Sequence, residues 1–235
     1  MASAAEQLAS NVNLGAFSKA TELKKRIWFT LGALIVYRLG TFIPLPGIDP
    51  VVLDEIFRAN QGGVLGMFNM FAGGALGRMT IFALNIMPYI SASIIMQLMT
   101  SISPSLEQMK KEGESGRKKI NQYTRYLTVL ICLLQAYGIA VGIEGMSGSQ
   151  GPAVHEPGYF FRFAVVVTLT GGTMFLMWLG EQITARGVGN GISLIIFAGI
   201  VAELPAAMAG TFEMGRTGAL PTALIIAILL MAVGV

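Results

Sequence analysis

Residues 123–143 read YTRYLTVLICLLQAYGIAVGI, and this stretch decides the class of fold. Its only charged side chain is Arg125, close to its beginning. A bilayer core about 30 Å thick needs roughly 20 consecutive apolar helical residues, so the stretch predicts a helix that crosses a membrane. The whole chain agrees, because 54% of its 235 residues are hydrophobic and 12% are charged, whereas soluble domains carry about 25% charged residues.

Further stretches of the same character predict an all-α integral membrane protein, built as a multi-pass helical bundle. The five predicted spans cover residues 27–45, 80–100, 123–143, 160–180 and 192–210. A sixth apolar run begins near Leu220 and ends with the chain at Val235. At roughly 15 residues it is too short to span comfortably, so we expect residues 220–235 to be the truncated start of a sixth transmembrane helix.

The cationic side chains are distributed unevenly between the two ends of these spans. Eleven of the sixteen Lys and Arg residues fall on one side: Lys19, Lys24, Lys25, Arg26, Lys110, Lys111, Arg117, Lys118, Lys119, Arg125 and Arg186. Because cytoplasmic loops carry an excess of Lys and Arg, the pattern predicts a cytoplasmic N-terminal segment at 1–26 and an extracytoplasmic loop at 211–219. The basic loop at 101–122 is interpreted as an orientation signal, or as a contact for acidic protein, RNA or anionic lipid.

Two features do not fit ordinary spans. Residues 62–77 read GGVLGMFNMFAGGALG, which is apolar but too short to cross. This segment is predicted either to re-enter the bundle or to lie as an amphipathic helix on the outer surface. Arg38 lies within the first span, and we expect it to pair with Asp49 or Glu55, or to bind a backbone carbonyl, rather than form a transport site.

The residues offer little catalytic chemistry, so we expect no enzyme, metal site or cofactor. The chain has one histidine, His155, and contains neither HExxH nor G-x-S-x-G. No aspartate lies within the five spans, which argues against an aspartyl intramembrane protease. The run GVGNG at 187–191 follows an apolar helix rather than a strand, so it predicts a tight turn with Asn190 as a helix cap, not a dinucleotide loop.

Five strings, in order along the chain, resemble the SecY family of protein-conducting channels. They are RLGTFIPLPGID at 38–49, MFNMFAGGAL at 67–76, IFALNIMPYISASI at 81–94, KKEGESGRKKINQYTRYLT at 110–128 and GTMFLMWLGEQITARGVGNGISLIIFAGI at 172–200. The resemblance implies a bundle whose residues 27–210 form one half of an inverted-repeat channel, with a re-entrant plug segment at about 63–76. It implies passage of unfolded secretory polypeptides across the bacterial cytoplasmic membrane and lateral release of apolar helices into lipid.

The resemblance also implies roles for particular residues. The pore ring takes Ile86, Ile90, Ile192 and Ile196, the plug takes Gly63, Val64, Leu65, Met67, Phe68, Asn69, Met70, Phe71, Gly73 and Gly74, and the lateral gate takes Ser91, Ile94 and Gln97. The i, i+4 spacing of each isoleucine pair predicts that both members face one direction on a helix. Pro88 is expected to free backbone hydrogen bonds in that helix, and Asn85, where the family usually has glycine, to loosen the closed seal.

The implied partners are SecE and SecG subunits, the SecA ATPase, the ribosome, a nascent polypeptide bearing a signal sequence, and membrane lipids. The alternative from the residues alone is a secondary transporter with broken helices and a midplane site. That alternative predicts convergent polar groups at mid-depth, and these are scarce in the sequence. We also expect the fragment to be unstable alone, because its pore-facing side lacks a partner.

Overall fold

The computed structural model describes residues 21–59, 69, 72–148 and 151–216. The elements in this part of the chain are α1 Thr21–Gly40, α2 Pro50–Ala59, α3 Met87–Ile102, α4 Pro104–Lys111, α5 Glu114–Glu144, β1 Ser147–Gly148, β2 Gly151–Pro152, α6 Tyr159–Arg186 and α7 Gly191–Arg216. The predicted class, a helical multi-pass membrane protein, is confirmed.

Three of the described helices, α5, α6 and the part of α7 up to Gly210, are long and apolar enough to cross a membrane. Helix α3 is apolar but has only 16 residues. Helix α1 has 20 residues, but its first two turns hold Lys24, Lys25 and Arg26, and its last turn holds Arg38. Length and apolarity therefore support three of the five predicted spans directly.

Helix α6 is the centre of the described bundle, since it packs against α1, α5 and α7. Its face toward α5 meets a stripe of small side chains that recurs at every fourth position. The stripe consists of Thr124, Thr128, Cys132, Ala136 and Ala140, all buried. Small residues let helices approach closely in a membrane, where dispersion and hydrogen bonds replace the hydrophobic effect as the driving force.

The connection between α6 and α7 is a tight turn, as the sequence predicts. Asn190 Oδ1 accepts hydrogen bonds from the backbone N–H groups of Ile192 at 3.1 Å and Ser193 at 3.4 Å, so its predicted role as a helix cap is confirmed. A side chain at Gly191 would overlap the Gly180 carbonyl. The absence of that side chain lets α7 start directly against α6.

The opposite end of the bundle is closed by α2 and the β1–β2 hairpin. Val52, Leu53 and Phe57 of α2 are buried in one apolar cluster with Ala153 and Val154. The chain following α1 joins the same layer through an isolated bridge between Ile48 and Val154. This cap also holds an ion pair between Arg162 and Glu144 at 2.7 Å.

The first two predicted spans differ from the helices at their outer ends. Helix α1 ends at Gly40, five residues before the predicted end at Leu45, because the chain leaves the helix to pair Pro44 with Thr80. Helix α3 starts at Met87, since residues 81–86 form consecutive turns. The predicted helical character of residues 41–45 and 80–86 is therefore wrong.

The later elements are more helical than the sequence suggests. Most of the expected loop at 101–122 is helical, because α4 and the first turns of α5 occupy it. Helix α6 runs six residues beyond the predicted end at Gly180, and α7 extends through Pro205 to Arg216, inside the expected loop at 211–219. In both helices the apolar run stops at the first polar and charged residues, but the helix itself continues beyond them. Residues 1–20 and the expected sixth helix at 220–235 lie outside the described residues.

Candidate functional site

A chain segment at residues 72–86 passes through the bundle without forming a helix. Its backbone is joined to the chain after α1, where Leu45 N–H donates to the Met79 carbonyl at 2.9 Å and Ile81 N–H donates to the Ile43 carbonyl at 3.0 Å. These bonds satisfy peptide groups that lipid cannot satisfy. The segment is thereby fixed against α1 before it turns into α3.

The aromatic ring of Phe82 anchors this segment inside the bundle. The ring is 4% exposed and stacks with Tyr37 of α1 and Phe175 of α6, at centroid distances of 6.3 and 5.9 Å. A side chain at Gly40 would overlap the Phe82 ring, and a side chain at Gly172 would overlap the Ile81 carbonyl. The two glycines together make the slot that admits residues 81 and 82.

Three of the four predicted ring residues meet beside this slot. Ile86, Ile90 and Ile192 belong to one apolar cluster that α1, α6 and α7 complete. Ile90 and Ile192 are half-buried. Ile196 is also half-buried but lies outside that cluster, and its neighbour Ile195 is the α7 side chain that is fully buried there.

Ile86 precedes the helix that carries Ile90, so the prediction that one helix carries both residues is wrong, although both side chains belong to the same apolar cluster. Ile86 occupies the N-cap position of α3 with φ −99° and ψ 6°, and its carbonyl accepts from Ile90 N–H at 3.1 Å. Its side chain is 1% exposed and packs within this half of the bundle. Pro88 lies in the first turn of α3, where a missing N–H breaks no helical bond, so the expected loosening by Pro88 is also wrong.

Of the predicted plug, the structure describes Asn69, Gly73 and Gly74. Gly73 and Gly74 have φ values of +62° and +77°. These values lie in the left-handed region of backbone conformation, which glycine adopts with little steric strain. Asn69 Oδ1 accepts from Gly77 N–H at 2.6 Å, which folds the segment back on itself. The other predicted plug residues, Gly63, Val64, Leu65, Met67, Phe68, Met70 and Phe71, lie outside the described residues.

Arg38 is a charged side chain that contacts this turn. Its Nη1 donates to the Gly73 carbonyl at 3.0 Å, so of the three partners that the sequence leaves open, the backbone carbonyl is the one found. The guanidinium groups of Arg38 and Arg78 also lie 5.0 and 4.8 Å from the ring centroid of Phe42. The turn at Gly73 is therefore bordered by positive charge.

The predicted lateral-gate residues lie on two faces of α3. Ser91 is half-buried and lines, with Gln135 of α5, a groove of about 470 Å³ beside residues 72–87. Ile94 is 53% exposed, and the exposed Gln97 donates to Ser93 Oγ at 3.2 Å. An apolar helix presented along α3 would therefore meet both a groove and an open apolar face.

Asn85 has an unusual backbone for a side-chain-bearing residue. Its φ is +47°, and the residue is 3% exposed. An amide is thus held directly beside Ile86 in an otherwise apolar cluster. The sequence identified Asn85 by its departure from the family, whereas no sequence signal identified Phe82 or Tyr37, since aromatic residues are common throughout the spans.

Within the described ranges, no group of three His, Cys, Asp or Glu side chains is placed to hold a metal ion. The backbone N–H of His155, the single histidine, donates to the Gly47 carbonyl at 3.2 Å, in the layer formed by α2 and the hairpin. His155 is not part of the apolar cluster that holds Ile86, Ile90 and Ile192. The site is an apolar cluster, and the nearby glycine turn lies against the guanidinium groups of Arg38 and Arg78 and the carboxylate of Glu203.

The described fold is that of the helical protein-conducting channels. "The structure of a protein conducting channel" matches with a TM-score of 0.55 and 21% identity, over 82% of this chain and 38% of that one. The SecY family profile matches residues 80–235, and the chain belongs to the SecY family. A second solved structure, described as "The plug domain of the SecY protein stablizes the closed state of the translocation channel and maintains a membrane seal", matches with a TM-score of 0.52 and 22% identity, over 82% of this chain and 37% of that one.

Curated relatives agree with this assignment. Protein translocase subunit SecY of Escherichia coli (strain K12) is 58% identical over 214 residues, covering 90% of this chain and 48% of the relative. The protein of the same name from Pseudomonas aeruginosa is 59% identical over 215 residues, covering 92% of this chain and 48% of the relative. The chain spans about half the length of these relatives.

Proposed function

We propose that this chain is the N-terminal half of the channel-forming subunit of a Sec translocon. The whole protein passes unfolded secretory polypeptides across the cytoplasmic membrane and releases apolar helices laterally into lipid. The observation that carries the proposal is the apolar cluster at the start of α3, where Ile86, Ile90 and Ile192 meet beside a glycine-rich turn. The membership of the chain in the SecY family supports the same function.

An aliphatic collar suits a channel for unfolded chains. Its side chains form no fixed hydrogen-bonding pattern, so any residue of a passing polypeptide is tolerated. A narrow apolar constriction empties of water when unoccupied, and an ion that enters must lose its hydration at high cost. We assign Ile86, Ile90, Ile192 and Ile196 to this ring, residues 63–76 to the plug, and Ser91, Ile94 and Gln97 to the lateral gate.

The proposed setting is the bacterial cytoplasmic membrane with the N-terminus in the cytoplasm. The basic residues at 110–125 support this orientation. A solved neighbour of the fold is "Sec61 in the Canine ribosome-channel complex from the endoplasmic reticulum", at 21% identity. By analogy with it and by family membership, we propose the ribosome, SecA, SecE, SecG, membrane lipids and signal-bearing nascent chains as partners.

Disulfide crosslinking in the full-length protein tests the pore. Cys132 is first changed to Ser, and a single cysteine then replaces Ile90 or Ile192. We expect both positions to crosslink to one cysteine in a stalled secretory chain, and only when that chain carries a functional signal sequence. The matched control is Leu134→Cys, at an α5 position that is 69% exposed, which should not crosslink.

The opposite result would be equally informative. Crosslinking at Leu134→Cys but at neither isoleucine, in protein that is inserted in the membrane, contradicts the ring and favours a transporter for a small solute. The structure gives one reason to expect otherwise. Arg38, the residue that would suit a solute site, is already bound to the Gly73 carbonyl.

Asn85 provides a second prediction, which concerns the closed seal. Replacing it by Gly removes an amide beside Ile86 and also relieves a left-handed backbone, which asparagine tolerates better than most residues but less well than glycine. We expect Asn85→Gly to lower ion flux through unengaged channels in liposomes several-fold. Asn85→Ala helps to separate the two causes, because it removes the amide without relieving the left-handed backbone; equal flux in Asn85→Ala and Asn85→Gly would assign the effect to the amide, and flux in Asn85→Ala at or above that of the unmodified channel would contradict a role for the amide.

A further inference from the structure

Two opposite charges flank the glycine turn of the 72–86 segment. Arg38 of α1 donates to the Gly73 carbonyl at 3.0 Å. Glu203 of α7 is so close to the next residue that a methyl group at Gly74 would be 2.5 Å from its Oε1. The backbone of Gly73 and Gly74 therefore lies against both a guanidinium group of α1 and a carboxylate of α7.

Only glycine fits between these helices. A methyl group at Gly73 would lie 3.0 Å from the Cα atom of Gly199 in α7. Both turn residues also have positive φ, which strains any other residue. The turn is thus a thin piece of backbone that fills the space between α1 and α7 without side chains.

The partner that Arg38 has in this arrangement is the weaker of two acceptors in the same region. A carbonyl is a neutral acceptor, whereas the side chain of Glu203, which lies against Gly74, is a carboxylate. Arg78 also approaches the turn, since a methyl group at Gly74 would lie 3.7 Å from its Nη2. Its guanidinium lies over Phe42 at 4.8 Å from the ring centroid, so Arg78 borders the turn from the side.

We propose that Gly73 and Gly74 form a removable wedge that keeps Arg38 and Glu203 apart, and that the two charges pair when the wedge withdraws. The inference rests on the proposed channel function, which requires a state in which this segment is displaced. With the wedge in place, Arg38 is satisfied by the Gly73 carbonyl. With the wedge gone, Glu203 replaces that carbonyl.

The exchange of partners solves a physical problem of opening. A half-buried guanidinium that lost its acceptor within the membrane would be costly. A charged acceptor at the same place offsets that cost, because hydrogen bonds between ionised groups are roughly twice as strong as neutral ones. Arg38 and Glu203 therefore set the balance between the closed state, with Gly73 and Gly74 in place, and the open state, with the wedge withdrawn. Each acts as a positioning residue rather than as part of the ring.

The test uses full-length channels with their partner subunits in liposomes, and measures the fraction that opens when a polypeptide with a functional signal engages. We expect Glu203→Gln to lower this fraction about tenfold, the effect of losing roughly one charge-assisted bond. Glu203→Asp keeps the charge with a shorter reach, so its effect should be intermediate. Glu156→Gln, a change of an exposed loop carboxylate of the same type, is the matched control and should open normally.

A double-mutant cycle separates the exchange from a merely structural role. Once Arg38→Gln has removed the cation, adding Glu203→Gln should change opening no further. Arg38→Gln alone should also raise ion flux through unengaged channels, because the Gly73 carbonyl loses its donor, whereas Arg186→Gln at an exposed position should not. Monodisperse complexes with unchanged thermal unfolding establish that the variants are folded.

Two results would overturn the proposal. One is normal opening of folded Glu203→Gln channels. The other is an open fraction in the double variant, Arg38→Gln with Glu203→Gln, that is reduced by the product of the two single reductions. Both require that the unmodified channel translocates in the same liposomes. Failure of the unmodified channel itself would instead contradict the proposed function.

Discussion

Gly172→Ala is expected to prevent most of the protein from reaching its folded state. The new methyl group would overlap the Ile81 carbonyl, and a backbone atom cannot rotate away as a side chain can. Overpacking commonly costs about 1–3 kcal/mol, and we expect the upper end of that range because both α6 and the 72–86 segment are packed on their other sides. The measurements are the steady-state amount of full-length protein and the thermal unfolding of the purified complex.

The neighbouring glycine supplies a close control. A methyl group at Gly171 has open space around it, with no atom within 4 Å, and alanine is the better helix former of the two. Gly171→Ala should therefore accumulate normally or slightly better. Equal amounts and equal unfolding temperatures for the two variants would show that residue 81 does not approach α6 as described.

The contrast between these glycines illustrates what the sequence does and does not predict. Runs of apolar residues identified the membrane class and the centres of α5, α6 and α7, because about 20 consecutive apolar residues are typical of a helix that crosses a bilayer. The sequence did not predict the turns at residues 81–86. Those residues are as apolar as a transmembrane helix. They are held in another conformation by contacts between distant parts of the chain, namely the slot at Gly40 and Gly172 and the backbone bond from Ile81 to Ile43.

Helix ends were missed for a different reason. Hydropathy reports where a chain meets lipid, whereas a helix continues as long as its backbone bonds are satisfied. Most of residues 114–122 are polar or charged, and yet they continue α5. Asn190 could be predicted as a cap because the capping bond is local and depends on one side chain.

The candidate site was predictable only in part. The resemblance supplied Ile86, Ile90 and Ile192, and the structure brings these together. It did not supply the partners of Arg38, since the bond to Gly73 joins positions 35 residues apart through a carbonyl that has no sequence signature. Glu203 lies inside the predicted span at 192–210, and it was missed because nothing in the sequence connects it to the distant glycine turn.

Phe82→Ala is expected to produce the second large loss. The ring is 4% exposed and stacks between Tyr37 and Phe175, so its removal leaves a cavity that α1 and α6 cannot fill without moving. Core Phe→Ala changes in soluble proteins cost about 3–5 kcal/mol. We expect about 3 kcal/mol, the lower end, because transfer from water contributes less where the unfolded helices remain in lipid.

The stability of the fold and the closed seal against ions should both be weakened in this variant. Phe82 holds the turn that leads into Ile86, so a cavity at its position frees the first ring residue as well as the segment that carries it. We expect a lower unfolding temperature of the purified full-length complex and, in the fraction that folds, raised ion flux through unengaged channels. Phe163→Ala, at an α6 position that is 68% exposed, removes the same ring from a surface and should change neither measurement. If Phe82→Ala matched Phe163→Ala in both, the segment would be held by its backbone bonds to residues 43 and 45 alone, and the aromatic stack would have no part in positioning the constriction.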